Sequence, residues 1–451
     1  MIYKEDTVAA ISTPKGKGGL HVLRISGKDA IANVDKIFKG KKKLSDTDSH
    51  NIVFGKIIDN GKLTDEVLCS VFRSPHSYTG EDTVEISCHG NYFIAGKILK
   101  ALLKTCRLAE KGEFTRRAFF NNKIDLTKAE AIGDLLEAET EQAHSLAMEQ
   151  LEGSLYKRIK IMLDHITRLR TLIELEIDFM EQGLDTLDFD DIIRQLQNIF
   201  NDMKSLSDSS DEGQIIREGL RVSLAGKPNV GKSSIFNLFL ESERAIVTPI
   251  PGTTRDYLEE AVSIEGYLIR LFDTAGIRET CDHIEKTGIE RSRDIVKKSH
   301  FILYITDSPE ETDDFEELKK VVPENKIIKV LNKSDLFTEE QLNKFSEEGF
   351  VICSALSYEK LSDLKKRLLA NIKITPQELK SGIISNARQA AAVEKSLEKL
   401  EQAINILQNN LGIEFAAFDL KEASQALEEI IGIISSEDLL RNIFDNFCIG
   451  K

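Results

Sequence analysis

LRVSLAGKPNVGKSSIFNLFL, residues 220–240, is the stretch whose reading decides the fold. A short apolar run ends in Gly226-Lys227-Pro228-Asn229-Val230-Gly231-Lys232-Ser233, which fits GxxxxGK[ST], and an apolar periodic segment follows. Strand, glycine-rich loop and helix in that order aim backbone N–H groups at a helix N-terminus, where they cradle phosphates. Asn229, Val230, Gly231 and Ser234 belong to that cradle. Lys232 should reach the β- and γ-phosphates, and the Ser233 hydroxyl should bind Mg2+.

Outward from this loop, apolar runs recur between helical segments over about residues 215–372: YLIRLFD (267–273), HFILYIT (300–306), KIIKVLN (326–332) and GFVICSA (349–355). Such alternation predicts a mostly parallel sheet covered by helices. Asn332-Lys333-Ser334-Asp335 closes one run. The Asp335 carboxylate can accept from both N1–H and the exocyclic amine of guanine, a pair that adenine lacks. Asn332 can bond the guanine edge, and the Lys333 stem packs alongside. After the next run, Cys353-Ser354-Ala355 would turn a backbone N–H toward the guanine oxygen. Asp273-Thr274-Ala275-Gly276 matches the acidic motif on the metal side that senses the γ-phosphate. Between them lies Thr253-Thr254-Arg255-Asp256, one threonine of which should complete the Mg2+ shell. The set describes a Ras-like GTPase core. Where many such GTPases carry a glutamine that orients water, this chain has Ile277, which cannot hold a water by hydrogen bonding, so either hydrolysis is slow or the positioning group and the charge stabiliser come from elsewhere. Glu279, Glu285 and Glu290 are the nearby acids.

The flanks differ. Residues 1–118 mix β-rich runs, LHVLRIS, HNIVFGKII and TVEISCHG, with turn signals, and the glycines at 16, 18 and 19 suggest a turn or a loop open to a ligand. From 119 to 213 the pattern is helical, with Leu155, Ile159, Met162, Ile166, Leu169, Ile173 and Ile177 in one stripe and SDSSDEG (207–213) reading as a linker. Residues 214–374 hold the GTPase pattern. Over 375–451 a helical period returns in Val393, Leu397, Leu400, Ile404, Leu407 and Leu411. Each helical block has an apolar face that needs a partner, and the simplest arrangement packs the two together around an inserted α/β domain.

A chain of 451 residues exceeds one core. Its net charge of −15 opposes a protein that grips nucleic acid mainly by neutralising phosphates. The run Lys39-Gly40-Lys41-Lys42-Lys43 reads as a solvated loop. Six scattered cysteines form no CxxC pair, which speaks against a disulfide framework or a zinc site. No apolar run approaches a membrane span and the first residues do not make a signal peptide, so a cytoplasmic protein is expected. The final CIGK is no prenylation box, because Gly450 and Lys451 fill the wrong slots.

Taken together, GKPNVGKSS, AIVTPIPGTTRD, DTAGIRET, HIEKTGIERS, NKSD and the final CIGK resemble one family. PKGKGGLHVLRISG, SYTGEDTVEISCHGN, KGEFTRRAF and NNKIDLTKAEAI agree with it in the first block. It is the family of tRNA uridine-5-carboxymethylaminomethyl modification GTPases, MnmE or TrmE. The resemblance spans essentially the whole chain. It implies a folate-binding and dimerising N-terminal α/β domain, a helical domain built from two chain segments and an inserted Ras-like P-loop GTPase domain. It implies a K+ ion held by Asn229, the carbonyls of Thr248 and Ile250, and Thr253, in a GTP-binding loop that also includes Pro249, Pro251 and Gly252, leaving Thr254 for Mg2+. From the acids it singles out Glu285 to position water. It implies 5,10-methylene- or formyl-tetrahydrofolate at Arg24, Glu81, Lys123 and Lys451, with the Cys448 thiol beside it. It further implies a homodimer and a complex with an MnmG/GidA-type flavoprotein that carries FAD and most of the tRNA contact. Two departures are local: IDF is followed by MEQGLDTLD, and Ala355 by Leu356. Ribosome-assembly GTPases of the Era or Der type share the middle block, but their tails differ from this helical, non-basic one.

Overall fold

In the computed structural model the described residues are 6–180, 187–242, 259–273, 294–310, 313–354, 361–370, 372 and 379–451. Of the expected site residues, Thr248, Pro249, Ile250, Pro251, Gly252, Thr253, Thr254, Thr274, Ala275, Gly276, Glu285 and Ala355 lie outside them. The chain divides into two compact units. One comprises Met1–Gly133, Gln150–Ile192 and Glu398–Lys451; the other comprises Asp134–Glu149 and Ile193–Leu397.

The first unit holds a seven-stranded sheet of β1 (Val8–Ile11), β2 (Lys17–Ser26), β3 (Phe38–Gly40), β4 (Asn51–Asp59), β5 (Lys62–Phe72), β6 (Thr83–Asn91) and β7 (Arg107–Leu108), ordered β3-β4-β5-β6-β2-β1-β7. All neighbours are antiparallel except β1 and β7. Helices Ala30–Asp35 and Tyr92–Leu102 cover one face over a core that includes Leu23, Ile25, Val34, Ile57, Ile86 and Ile98. On the other face, Val8 and Ala10 pack with Phe114 of helix Glu113–Phe120. Alternation along β4 turns Ile52 and Phe54 outward, 66% and 59% exposed, and Phe54 pairs with Leu68, itself 44% exposed. Gly18 and Gly19 lie inside β2, opposite the end of β6, where the register shifts between Lys17 and Leu20; the expected glycine turn is a bulged strand.

In the same unit, helix Ser154–Met180 buries Leu155, Ile159, Met162, Ile166, Leu169 and Ile173 and packs against helix Ile413–Ile431, which buries Leu420, Ala423, Leu427 and Ile430. Residues from the two helical segments thus complete one another's apolar faces. Helix Glu437–Asp445, capped by the Ser436 hydroxyl, sets Leu440 and Phe444 with Phe447 onto Leu126 and Ala129. Leu411 departs from the expected stripe: it lies past the end of helix Ala387–Gln408 and is exposed.

The second unit holds a six-stranded sheet of β8 (Leu220–Ala225), β9 (Glu259–Ile264), β10 (Tyr267–Asp273), β11 (Phe301–Thr306), β12 (Ile327–Leu331) and β13 (Val351–Ile352), ordered β13-β12-β11-β8-β10-β9. Five strands run parallel, and β9 adds an antiparallel edge through a two-residue turn at Glu265 and Gly266, both at positive φ. Leu220, Val222, Leu224, Leu271, Leu303, Ile305 and Val330 form its core with Ile235 and Phe239 of helix Lys232–Ser242. SDSSDEG is not a linker. Helix Phe189–Asp208 runs into it and helix Ser210–Glu218 starts within it. A Cβ on Gly213 would overlap the Ile384 carbonyl oxygen, so this small residue serves close packing rather than flexibility. Among the described residues no helix is long and apolar enough to cross a membrane.

Candidate functional site

The loops that follow the parallel strands collect at their carboxyl ends, where open α/β sheets bind ligands. The β8 strand delivers residues 226–231, and helix Lys232–Ser242 starts where that loop ends, presenting free N–H groups and the positive end of its dipole. Asn229 and Gly231 both have positive φ, 63° and 94°, which curls the loop. Gly231 is required twice over, because a Cβ there would also overlap the side-chain nitrogen of Asn332. Lys232, only 7% exposed, donates to the carbonyls of Gly226 (2.9 Å) and Lys227 (2.6 Å). The ammonium therefore lies over the loop it must serve. Ser233 Oγ lies 3.5 Å from Oδ2 of Asp273, the last residue of β10. Two hard oxygen donors meet there, a pairing that suits Mg2+.

The loop after β12 is tied to the phosphate loop. Asn332 is buried, and its amide nitrogen donates to the Val230 carbonyl at 2.8 Å. Sequence reading gives that side chain to the guanine edge; here its N–H group joins two loops. Lys333 has positive φ, 57°, and its Nζ lies 2.6 Å from Oδ2 of Asp307. Ser354 Oγ donates to Asp335 Oδ1 at 2.9 Å, and the Ser334 N–H donates to the Cys353 carbonyl. The carboxylate expected to read guanine is thus oriented by the very loop expected to meet the guanine oxygen. Asp307 was missed in the sequence; its only signal is its place one residue past β11.

A second group of expected residues lies in the first unit. Arg24 forms an ion pair with Glu85 at 2.7 Å, and its guanidinium lies 5.1 Å from the Tyr78 ring and 5.5 Å from the Phe114 ring. The Tyr78 hydroxyl bonds Thr115 Oγ1 at 2.9 Å. Lys123 donates to the Pro75 carbonyl at 2.9 Å and shares with Tyr78, His50, Phe72, His76 and Ser77 a shallow depression of about 400 Å3. Glu81 accepts from Ser26 Oγ at 2.6 Å and from Arg117 at 3.1 Å. Tyr78 therefore links Arg24 to the Lys123 depression, while Glu81 belongs to an ionic network whose centre, Arg117 and Glu113, is buried.

That network holds Asp6, Glu81 and Glu113 around Arg107 and Arg117. Burial works to raise the Glu113 carboxyl, but Arg107, the Glu110 N–H and Arg117 together hold it below the usual carboxylate range. Burial likewise works against Asp6, and the same two arginines prevail.

The final residues dock onto this face. The Phe114 N–H donates to a Lys451 backbone oxygen at 3.1 Å, Ser12 Oγ donates to the Gly450 carbonyl at 3.0 Å, and Ile449 bridges to Lys111. Gly450 has φ 101°, and a Cβ there would strike the Ile11 carbonyl. The Lys451 backbone is thereby held directly by Phe114, whose ring lies beside the Arg24 guanidinium. Cys448 is exposed, whereas burial pushes the thiols of Cys69 up to about 12 and of Cys88 and Cys106 up to about 11.

Comparison with known proteins matches residues 7–123 to the family described as GTP-binding protein TrmE N-terminus and residues 126–448 to the MnmE helical domain. The chain is 40% identical over 460 residues to the tRNA modification GTPase MnmE of Clostridioides difficile (strain 630), covering all of both chains. It is 41% identical to the protein of that name from Carboxydothermus hydrogenoformans, over 99% of this chain and 100% of that one. With the Aquifex aeolicus MnmE it shares 40% identity over 450 residues, again 99% and 100% of the two chains. The phosphate loop, the guanine loop and matches along the full length lead to one conclusion: the chain belongs to the MnmE family of tRNA modification GTPases.

Proposed function

We propose that the chain hydrolyses GTP and that hydrolysis serves modification of tRNA, adding a carboxymethylaminomethyl or aminomethyl-type group at carbon 5 of the wobble uridine. The observation that carries the GTPase reading is the Asn332–Val230 bond, which joins the phosphate loop to a guanine loop whose Asp335 is oriented by Ser354. Ser233 and Thr254 would hold Mg2+, which neutralises phosphate charge; the Ser233–Asp273 pair supports the placement. K+ would sit with Asn229, Thr248, Ile250 and Thr253 and add positive charge beside the phosphates. Glu285 would orient the attacking water in place of Ile277.

The first unit would bind 5,10-methylene- or formyl-tetrahydrofolate through Arg24, Glu81, Lys123 and Lys451, with Cys448 brought near by the docked tail. Support comes from the Tyr78 and Phe114 rings beside Arg24, which offer an apolar wall to a flat pterin while the cations meet carboxylates. The bare rows of Ile52, Phe54 and Leu68 on the sheet support a homodimer through this domain, since an exposed apolar sheet face marks an interface. An MnmG/GidA-type flavoprotein with FAD would carry most of the tRNA contact, consistent with a net charge of −15, and the assembly would be cytoplasmic.

The test is GTP turnover by the full chain in KCl and in NaCl at matched ionic strength. Turnover stimulated by K+, with the stimulation lost in Asn229→Ala, is the expected result. Equal rates in both salts remove the K+ site and leave the GTPase; no turnover in either removes both.

A further inference from the structure

We infer that Asp307 is a positioning residue of the nucleotide site: it clamps Lys333 so that the lysine stem lies ready along the plane of the guanine. The inference rests on the GTPase reading and assigns a role to a residue outside the expected motifs.

Three observations meet at this pair. Asp307 follows β11 directly, and the Asn332 N–H donates to the carbonyl of the neighbouring Thr306 at 2.8 Å, so the two loops are fixed side by side by backbone. Thr306 Oγ1 also bonds both the N–H and the carbonyl of Ser308, at 3.2 and 2.8 Å, which braces the turn carrying Asp307. From the facing loop, Lys333 sends its Nζ to within 2.6 Å of the Asp307 carboxylate.

Stability does not explain the pair. Both side chains are 38% exposed, and ion pairs so open to water add little to folding. Nor is Lys333 comfortable, since a non-glycine residue at φ 57° is held in a sparsely populated region, a feature that gathers at ligand sites. A lysine stem has four rotatable bonds and loses much freedom when it is immobilised against a ligand. With Nζ already anchored, that ordering precedes binding, so the stem meets the base pre-organised. Asp307 would touch no part of the nucleotide. Asp335 keeps the recognition of guanine, and Asp307 sets how long the nucleotide stays.

The experiment follows release of a fluorescent GDP, and GTP hydrolysis kinetics, in the full chain, Asp307→Asn, Lys333→Ala, the double variant and Asp307→Glu. The expected result for Asp307→Asn is a release rate faster by about 5- to 20-fold, consistent with freeing one long side chain. The defect should appear in KM for GTP more than in kcat. Lys333→Ala should match it, the double variant should be no worse than either single change, and Asp307→Glu should restore release to within about 3-fold. Unfolding midpoints should coincide. Release unchanged in Asp307→Asn, or effects that multiply in the double variant, overturns the inference while leaving the GTPase reading intact. Failure of the unsubstituted chain to bind the fluorescent GDP overturns both.

Discussion

The two sheets solve opposite problems. The second unit's sheet is mostly parallel, and its candidate site gathers at the carboxyl ends of the strands, where backbone turns at Asn229, Gly231 and Lys333 shape the loops. The first unit's sheet is mostly antiparallel, leaves the Ile52–Phe54–Leu68 area bare, and gathers its candidate ligand groups as side chains around Tyr78 and Phe114. Backbone recognition depends on left-handed turns, of which the one at Gly231 leaves no room for a side chain. Side-chain recognition depends on charge that burial must leave satisfied.

The largest expected effect tests the backbone half. In Gly231→Ala the new methyl collides with the Asn332 amide at a position already at positive φ, so GTP affinity should fall by at least about 100-fold, from loss of both loop curvature and the loop-to-loop bond. Titration with a fluorescent, slowly hydrolysed GTP analogue reads it. The parallel change in the other unit, Gly450→Ala, should lift the tail off Ile11 and weaken binding of 5-formyl-tetrahydrofolate, with GTP affinity within about 2-fold of the parent. Loss of GTP affinity in Gly450→Ala would erase the distinction drawn between the units.

Next in size is the ionic network with a buried centre. Arg117 is 3% exposed and serves Asp6, Glu81 and Glu113; although Arg107 still holds Asp6 and Glu113, Arg117→Met takes the central cation from the buried Glu113 and from Glu81 and should cost about 3 kcal/mol of stability in urea unfolding. The half-exposed Lys333–Asp307 pair should cost under about 1 kcal/mol when broken. Acid sharpens the contrast. Because the folded Glu113 carboxyl lies below its ordinary value, its contribution is complete above the usual carboxylate range and is lost as pH falls through the depressed folded value. Glu113→Gln should therefore flatten the loss of stability between neutral pH and about pH 3.

The smallest effect concerns thiols. Of Cys69, Cys88, Cys106 and Cys448, only Cys448 is exposed, and burial raises the other three. A thiol reagent near neutral pH should modify Cys448 before those three, and Cys448→Ser should remove that reaction while shifting stability by under about 0.5 kcal/mol.

The phosphate and guanine loops were legible because their motifs are fixed by short-range backbone geometry: glycine at Gly231, the lysine after it, and a strand on either side. Five of the six strands of the second sheet showed as apolar runs. The edge strand β9 was hidden, since EEAVSI alternates weakly and its turn, Glu265-Gly266, lacks the usual asparagine. SDSSDEG misled for a related reason: its polar residues end one helix and begin the next, and composition alone does not separate such a junction from a linker. The resemblance placed Arg24, Glu81 and Lys123 together, but nothing local in sequence showed that Arg117 occupies Glu81 or that Asp307 reaches Lys333. Those pairings join residues 36 and 26 positions apart, and only the folded chain brings them together.

The proposal that Asp335 reads guanine is tested most directly by exchange of that carboxylate. In Asp335→Asn the amide can donate where the carboxylate accepted, which suits the carbonyl that xanthine carries in place of the guanine amine. Turnover of GTP and of xanthosine triphosphate should be measured for the parent chain and this variant. The account predicts a parent that prefers GTP and a variant whose preference is inverted, with GTP use down by about 100-fold or more, as when a hydrogen-bonding partner in a site is mismatched. A variant that still prefers GTP would contradict it.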